Sequence, residues 1–271
     1  ADAIITFDGG DDYDVLKVTG GSFNTITDLP ADPSSGLIYY DDAQVVYTNI
    51  EPIYELTTAD TYNRSGTSGA DSIAIVEGGI KYDGSSCAFG CRTIEIQSAS
   101  FENIFFANKK KVVITGNSGD DTITLNFAMI ANSLKELTVN GGDDGDEIIV
   151  NGTVNMDGGN LTIDADTVTV NDNAIISTRD LTLYPVDYET DSSTNDSGKL
   201  ELKGNHITIG SGAKLFAHVE NGSSYKPGDV ILTVDETAGI DLSFANLDTS
   251  SVSITVKSNA LLRGGSVELI S

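Results

Sequence analysis

GNSGDDTITLNFAMIANSLKELTVNGGDDGDEIIV, residues Gly116 to Val150, contains one ten-residue pattern twice. GNSGDDTITL (Gly116 to Leu125) and GGDDGDEIIV (Gly141 to Val150) both read G-x-x-[GD]-x-D-x-I-x-[LV], 25 residues apart. The first half is an acidic Gly/Asn/Asp turn, and the second alternates apolar with any residue, the period of a strand with one buried face. A turn-plus-strand unit returning at that interval is the sequence form of a solenoid coil. Two earlier copies extend the series: GTSGADSIAI from Gly66, 50 residues upstream of Gly116, and GGDDYDVLKV from Gly9, a further 57 upstream. The 50 reads as two periods of 25. The 57 reads as two periods plus a seven-residue insertion, placed in the Pro/Ser/Gly loop LPADPSSG (Leu29 to Gly36).

The composition agrees with a thin layered core. The chain has 271 residues, 39% hydrophobic, with 7% aromatics and no Trp. Ile, Val, Leu and Ala must therefore fill most of the interior. With 28 Gly against 5 Pro, turns fall to Gly, Asn and Asp. Nowhere do apolar residues hold a 3.6-residue period over three turns; IANSL (Ile130 to Leu134) is the one place that invites a helical turn. No run of about 20 apolar residues is present, so no membrane-spanning helix is expected.

After Val150 the acidic motif ends and the strand rhythm continues. GNLTIDADTVTVNDNAIIS from Gly159 aligns with GKLELKGNHITIGSGAKLFA from Gly198 at an offset of 39. Leu161 falls on Leu200, Ile163 on Leu202, Val168 on Ile207, Val170 on Ile209 and Ala174 on Ala213. The polar stretch Tyr184 to Ser197 accounts for the extra length as a protruding loop. The expected fold is all-β, a right-handed parallel β-helix (β-solenoid) with coils of about 25 residues and two protruding loops. It is expected to span 1–271 as one domain, with acidic turns over 1–150 and a second rung type over 151–271. The beginning at Ala1, without Met or a basic leader, suggests a piece of a longer chain. Paired antiparallel sandwiches are the competing architecture.

Charge narrows the function. There are 41 Asp+Glu against 15 Lys+Arg, a net charge of −26, which disfavours nucleic acid and anionic membranes as partners. Carboxylates crowded into Gly-rich turns suit Ca²⁺, which takes six to eight oxygen ligands. The candidate metal ligands are Asp14, Asp71, Asp120, Asp121, Asp143, Asp144 and Asp146; the alternative is that these residues only form turns. Cys87 and Cys91, separated by three residues that include a Gly, suit a local disulfide and hence an oxidising compartment. The lysines of KKKVVITGN (Lys109 to Asn117) read as a solvated corner. The tyrosine-rich stretch Leu37 to Leu56 reads as a bulky rung or a flanking excursion.

The four acidic decapeptides resemble single copies of the hemolysin-type calcium-binding repeat of RTX proteins, G-G-x-G-x-D-x-U-x, through Gly9, Gly10, Asp14 and Leu16; Gly66, Gly69, Asp71 and Ile73; Gly116, Gly119, Asp121 and Ile123; and Gly141, Gly142, Asp146 and Ile148. Asp12 and Asp144 stand at the third Gly, and Thr67 and Asn117 at the second. Gly159 to about Val234 is similar to rungs of filamentous-haemagglutinin-like exoproteins. These resemblances imply a non-enzymatic structural or adhesive segment of a large extracellular bacterial surface protein. Calcium stabilisation and cell-surface or matrix glycan or protein partners go with that reading, as does self-association into filaments. The rival is a polysaccharide-active, pectin lyase-like β-helix enzyme. GNHITIGSG around His206 superficially resembles a polygalacturonase segment, but that family's other motifs are missing.

Overall fold

The structure is a computed structural model that describes residues 3–82, 90–180, 196–217, 228–242, 246–248, 252–256, 261–264 and 268–270, with side chains as far as residue 233. Among the described residues there are only strands, turns and bends, and no helix. Ile130 to Leu134 is a buried turn. The chain divides into two units, Ala1–Ile123 with Met129–Leu134 and Asn140–Asp146, and Thr124–Ala128 with Lys135–Val139 and Glu147–Ser271.

The first unit carries β1 (Ile4–Asp8), β2 (Leu16–Val18), β3 (Ser22–Asp32), β4 (Ser35–Tyr40), β5 (Ala43–Thr48), β6 (Ile53–Glu55), β7 (Thr58–Ser65), β8 (Ser72–Lys81), β9 (Cys91–Ser98), β10 (Ile104–Phe106) and β11 (Lys109–Ser118). Two columns of parallel strands run through it. In one, Leu16 of β2 pairs with Ile53 of β6, which pairs with Ile104 of β10. In the other, Ile26 of β3 pairs with Tyr62 of β7, which pairs with Val112 of β11. Pairing puts like beside like, so Ile26, Tyr62 and Val112 are all buried. Two antiparallel meanders break the parallel order, β3–β4–β5 and β8–β9–β10.

Those meanders correct the expected spacing. Gly66 N donates to Thr115 O at 2.7 Å, and Ala59 pairs with Lys109, 50 residues on. The copies at Gly66 and Gly116 are therefore immediate neighbours, not two periods apart. The intervening chain contains the β8–β9 hairpin, and Ser72–Lys81 is one strand with a bulge at Gly78. Likewise the expected loop Leu29 to Gly36 is mostly the tip of the β3–β4 hairpin, with Leu29 paired to Leu37. Asp32 closes that tip by accepting from Ser34 N and Ser35 Oγ. Leu37 to Thr48 is the rest of the first meander, with Tyr40 and Tyr47 inside, and the stretch to Leu56 carries β6 of the parallel column. The core of this unit is thus more aromatic than the composition suggested: Tyr40, Tyr47, Tyr62, Phe101 and Phe106 are all buried.

β12 (Thr122–Phe127) and β13 (Glu136–Asp143) contribute residues to both units. The second unit continues with β14 (Glu147–Asn155), β15 (Asn160–Asp164), β16 (Thr167–Val170), β17 (Ile175–Ser177), β18 (Leu200–Ile209), β19 (Lys214–Phe216), β20 (Val230–Leu242), β21 (Asn246–Asp248), β22 (Val252–Val256), β23 (Leu261–Gly264) and β24 (Glu268–Ile270). The pairings resolved among β14–β24 are all parallel. The register at offset 39 is the one expected: Leu161 with Leu200, Ile163 with Leu202, Val168 with Ile207 and Val170 with Ile209. Lys214 N donates to Ala174 O, and Ala174 and Ala213 are both buried. This interior is aliphatic, as period-2 strands such as TVTV dictate, with Val168 and Val170 inside and Thr167 and Thr169 outside. Of the loop Tyr184 to Ser197, residues 184–195 lie outside the described residues.

Candidate functional site

Three of the four acidic turns stack in the first unit. Each begins with a Gly whose missing side chain makes room for the Asp five residues later. A Cβ on Gly66 would overlap Gly116 O and approach the Asp71 carboxylate, one on Gly116 the Asp121 carboxylate, and one on Gly141 that of Asp146. These three aspartates are buried and form a column. Asp71 takes Thr67 N on Oδ2 at 2.7 Å, its own N–H donates to Asp121 Oδ1 at 2.7 Å, and Asp121 N–H donates to Asp146 Oδ1 at 2.9 Å. The recurring spacing G-x-x-x-x-D thus lets the Asp121 and Asp146 carboxylates each tie one turn to the next, while that of Asp71 closes its own turn on Thr67. Satisfying a buried N–H with a carboxylate is a strong, charge-assisted bond.

The exposed aspartates do the same from outside. Asp144 Oδ2 accepts from Gly119 N at 3.1 Å, and Asp120 Oδ1 accepts from Gly145 N at 3.1 Å. The turns at Gly116 and Gly141 share a backbone: positions two and four are left-handed in both, Asn117 at φ 88° with Gly142 at 123°, and Gly119 at 104° with Asp144 at 81°. Asn and Asp are the non-glycine residues that best tolerate that region, so the departures from the glycine pattern keep its geometry. The turn at Gly9 lies apart. Gly9 N donates to Thr48 O and Glu51 N to Asp14 O, so Asp14 is stacked on residues 48–51 and does not join the column.

Asp143 is exposed beside Asp144. Among the described residues no three His, Cys, Asp or Glu side chains converge as a metal-holding group. In the column Asp121 Oδ2 is buried with no hydrogen-bond partner. Burial, opposed by the Asp71 N–H bond and reinforced by the charges of Asp146, Asp71 and Asp120, pushes the Asp121 carboxyl up to about 6.

A second set of polar groups, not anticipated from the sequence, lies in the interior of the same unit. Asp28, Arg64 and Ile114 occupy one row across β3, β7 and β11, and Arg64 Nη1 lies 2.5 Å from Asp28 Oδ1. Tyr62 OH donates to Asp28 Oδ2 at 2.7 Å, Arg64 Nη2 donates to Glu102 O at 3.0 Å, and the guanidinium lies 4.7 Å over the Phe101 ring. Glu102 is buried, and desolvation pushes its carboxyl up to about 7. Nearby, Lys109 is fully buried, correcting its expected place in a solvated corner. Its ammonium donates to Glu55 Oε1 at 3.0 Å, to Ala107 O at 3.0 Å and to Thr57 O, which uses all three protons. Glu55 also accepts from Tyr40 OH and Thr57 Oγ1. Burial lowers the Lys109 pKa, and the Glu55 charge opposes the shift. Lys110, by contrast, is exposed and paired with Asp60.

Cys91 is buried against Leu56 and Ala107, and Asn108 Nδ2 approaches its Sγ at 3.5 Å. Cys87, its expected partner, lies outside the described residues. In the second unit His206 Nε2 lies 3.1 Å from Thr208 Oγ1. An open depression of about 430 Å³ there is lined by Thr169, Val170, Asn171, Asp172, Thr208 and Gly210, with Asp172 its one titratable group. No protein-family model matches the chain, and neither the curated proteins nor the solved structures yield a match.

Proposed function

We propose that the chain is a β-solenoid with a structural and adhesive role, a non-enzymatic segment of a large extracellular bacterial surface protein. The observation that carries this reading is what the polar turn residues do. The carboxylates of Asp121, Asp146, Asp120 and Asp144 accept hydrogen bonds from neighbouring turns. Asn126 accepts from Thr153 N, Asn160 from Lys199 N and Asp172 from Ser211 N in the same manner. Side chains committed to holding coil on coil build a scaffold. Right-handed winding follows from the strong preference of parallel crossovers for that hand. Coil length in this reading is variable, since the parallel registers range from 20 residues (Glu147 with Thr167) to 51 (Ile53 with Ile104). Its partners are surface or matrix glycans or proteins, or further copies of itself, and its compartment is extracellular, where a Cys87–Cys91 disulfide would persist.

The rival β-helix enzyme needs a cleft with opposed acid and base groups, and the depression around Asp172 supplies a single carboxylate. Incubation with a panel of acidic and neutral polysaccharides tests the choice. The scaffold reading expects no new reducing or unsaturated ends; their appearance would establish the enzyme.

Calcium stays in the proposal for one reason, the buried and unpartnered Asp121 Oδ2, which a cation at the 116–121 and 141–146 turns would satisfy together with Asp120, Asp143, Asp144 and Asp146. An ion bound only by the folded turns raises stability by mass action. Millimolar calcium at constant ionic strength is expected to raise Tm and EDTA to reverse it, with Asp121→Asn abolishing the difference. Identical melting curves would leave these residues as turn brackets alone.

A further inference from the structure

Of the two interior ion pairs in the first unit, Lys109 with Glu55 has a chemistry that Arg64 with Asp28 lacks. A guanidinium stays protonated in a protein, whereas a lysine taken out of water gives up its proton far more readily. Lys109 and Glu55 are both 0% exposed, and their strand partners, Ala59 opposite Lys109 and Phe106 opposite Glu55, are buried as well. The other lysine pairs, Lys110 with Asp60 and Lys199 and Lys203 with Glu201, keep part of their surface in water, which stabilises the separate ions.

The groups around Lys109 fix where its nitrogen can react. Nζ lies 3.0 Å from Glu55 Oε1 and 3.0 Å from Ala107 O, and it also donates to Thr57 O. Passing one proton to Glu55 neutralises both groups, in a site where burial already lowers the Lys109 pKa against the opposing charge of Glu55. The two protons left on the amine are held by the two backbone carbonyls, so its lone pair faces the Glu55 carboxyl. That carboxyl is polarised at both oxygens. Thr57 N donates to Oε1 at 3.1 Å, Thr57 Oγ1 donates to the same atom, and Tyr40 OH donates to Oε2. A nucleophile, a carboxyl and hydrogen-bond donors aimed at the carboxyl thus meet without solvent.

We propose that Lys109 and Glu55 condense into an amide, a self-made covalent tie between β6 and the start of β11. After the first proton has passed to Oε1, Lys109 Nζ attacks Glu55 Cδ. The Nζ–Cδ bond forms, a second amine proton passes to Oε1, the Cδ–Oε1 bond breaks, and Oε1 leaves as water. Oε2 stays as the amide carbonyl and still accepts from Tyr40 OH, and the one remaining N–H keeps a backbone carbonyl as its acceptor. No oxidant, cofactor or second protein takes part. Groups held in contact reach effective molarities on the order of 10⁵–10⁸ M, and a dry interior denies the reactants the hydration that favours free ions over the amide.

The test is the intact mass of the full chain, folded first, then denatured and reduced so that any disulfide is open. The expected mass is that of the sequence less one water, and proteolysis should release one branched peptide that carries residues 55 and 109. Lys109→Met should return the full mass of its own sequence. Tyr40→Phe withdraws the donor on Oε2 and should leave a fraction of the chains unlinked. The full sequence mass in the unaltered chain, or a lost water that maps to other residues, overturns the proposal and leaves Lys109 and Glu55 as an ion pair. Complete linkage in Tyr40→Phe overturns the part given to the tyrosine. The scaffold reading stands under each of these results.

Discussion

Asp121 and Arg64 show how differently one residue type reads in sequence and in place. Asp121 was legible as special because it closes a repeated motif, and the structure puts it in a column with Asp71 and Asp146. What the motif could not convey is that Asp120 and Asp144 use their carboxylates on backbone N–H groups of the facing turn. The glycines separate on the same grounds. A Cβ at Gly116 would overlap both Asp121 and Gly141 O, whereas one at Gly69 meets only Thr67 Oγ1 at 4.0 Å. Gly116→Ala should therefore cost about 1–3 kcal/mol and Gly69→Ala almost nothing, as read from urea unfolding of the two variants side by side.

Arg64 and Asp28 went unnoticed although alternation marks them. Ile26 and Asp28, like Tyr62 and Arg64, share a strand face, and the apolar member of each pair is in the core. In both strands the period-2 pattern continues through the charged residue. Truncating Asp28 to Ala strands a buried guanidinium, an expected loss of about 3–5 kcal/mol, while Asp28→Leu with Arg64→Met should cost far less than the sum of the single changes. An additive double-mutant cycle would argue against a coupled pair. Lys109 was hidden for another reason: the alternation of Val112 and Ile114 puts Lys110 in the inward phase, and the strand is irregular there, pairing Lys109 with Ala59 and Lys111 with Thr61. Glu102 supplies a pH test. Its folded-state pKa, raised to about 7 from 4.5, means that the protonated form is favoured in the fold. Its contribution is fully present below the unfolded pKa near 4.5 and is lost as pH rises through 7. Stability should fall across that window, and Glu102→Gln should flatten the slope; an unchanged slope assigns it to other carboxylates.

At the scale of elements, strands were legible and their partners only partly so. Leu161, Ile163, Val168 and Val170 found their partners at offset 39 because two whole coils matched residue by residue. The 50-residue interval between Gly66 and Gly116 fits two coils or one coil with a hairpin equally well, because a half-buried strand has the same period whichever direction its neighbour runs. The bulge at Gly78, where a Cβ would meet Thr93 Oγ1 and Phe105, interrupts the period-2 pattern of β8. The β3–β4 tip is closed locally by Asp32, and Ser34 O also accepts from Ile50 N at 3.1 Å. Inserting Gly-Ser between Pro33 and Ser34 should cost about 1–2 kcal/mol, from the longer loop and the loosened Ile50 bond, measured by denaturation. A loss of several kcal/mol would mean that the tip is packed.

For the molecule as a whole, the account stands or falls on coil-on-coil stacking, and most directly on the 50-residue register that separates it from a simple 25-residue ladder. Asn63 and Val113 are paired on parallel β7 and β11, both half-buried. Adjacent strands lie about 4.8 Å apart, within the Cα span a disulfide accepts, about 4.4–6.8 Å. Asn63→Cys with Val113→Cys, oxidised in the folded state and mapped by non-reducing peptide mass spectrometry, is the decisive measurement. The account predicts efficient linkage of residues 63 and 113. Free thiols at both positions, or linkage of residue 63 to Cys87 or Cys91 in place of 113, would contradict it.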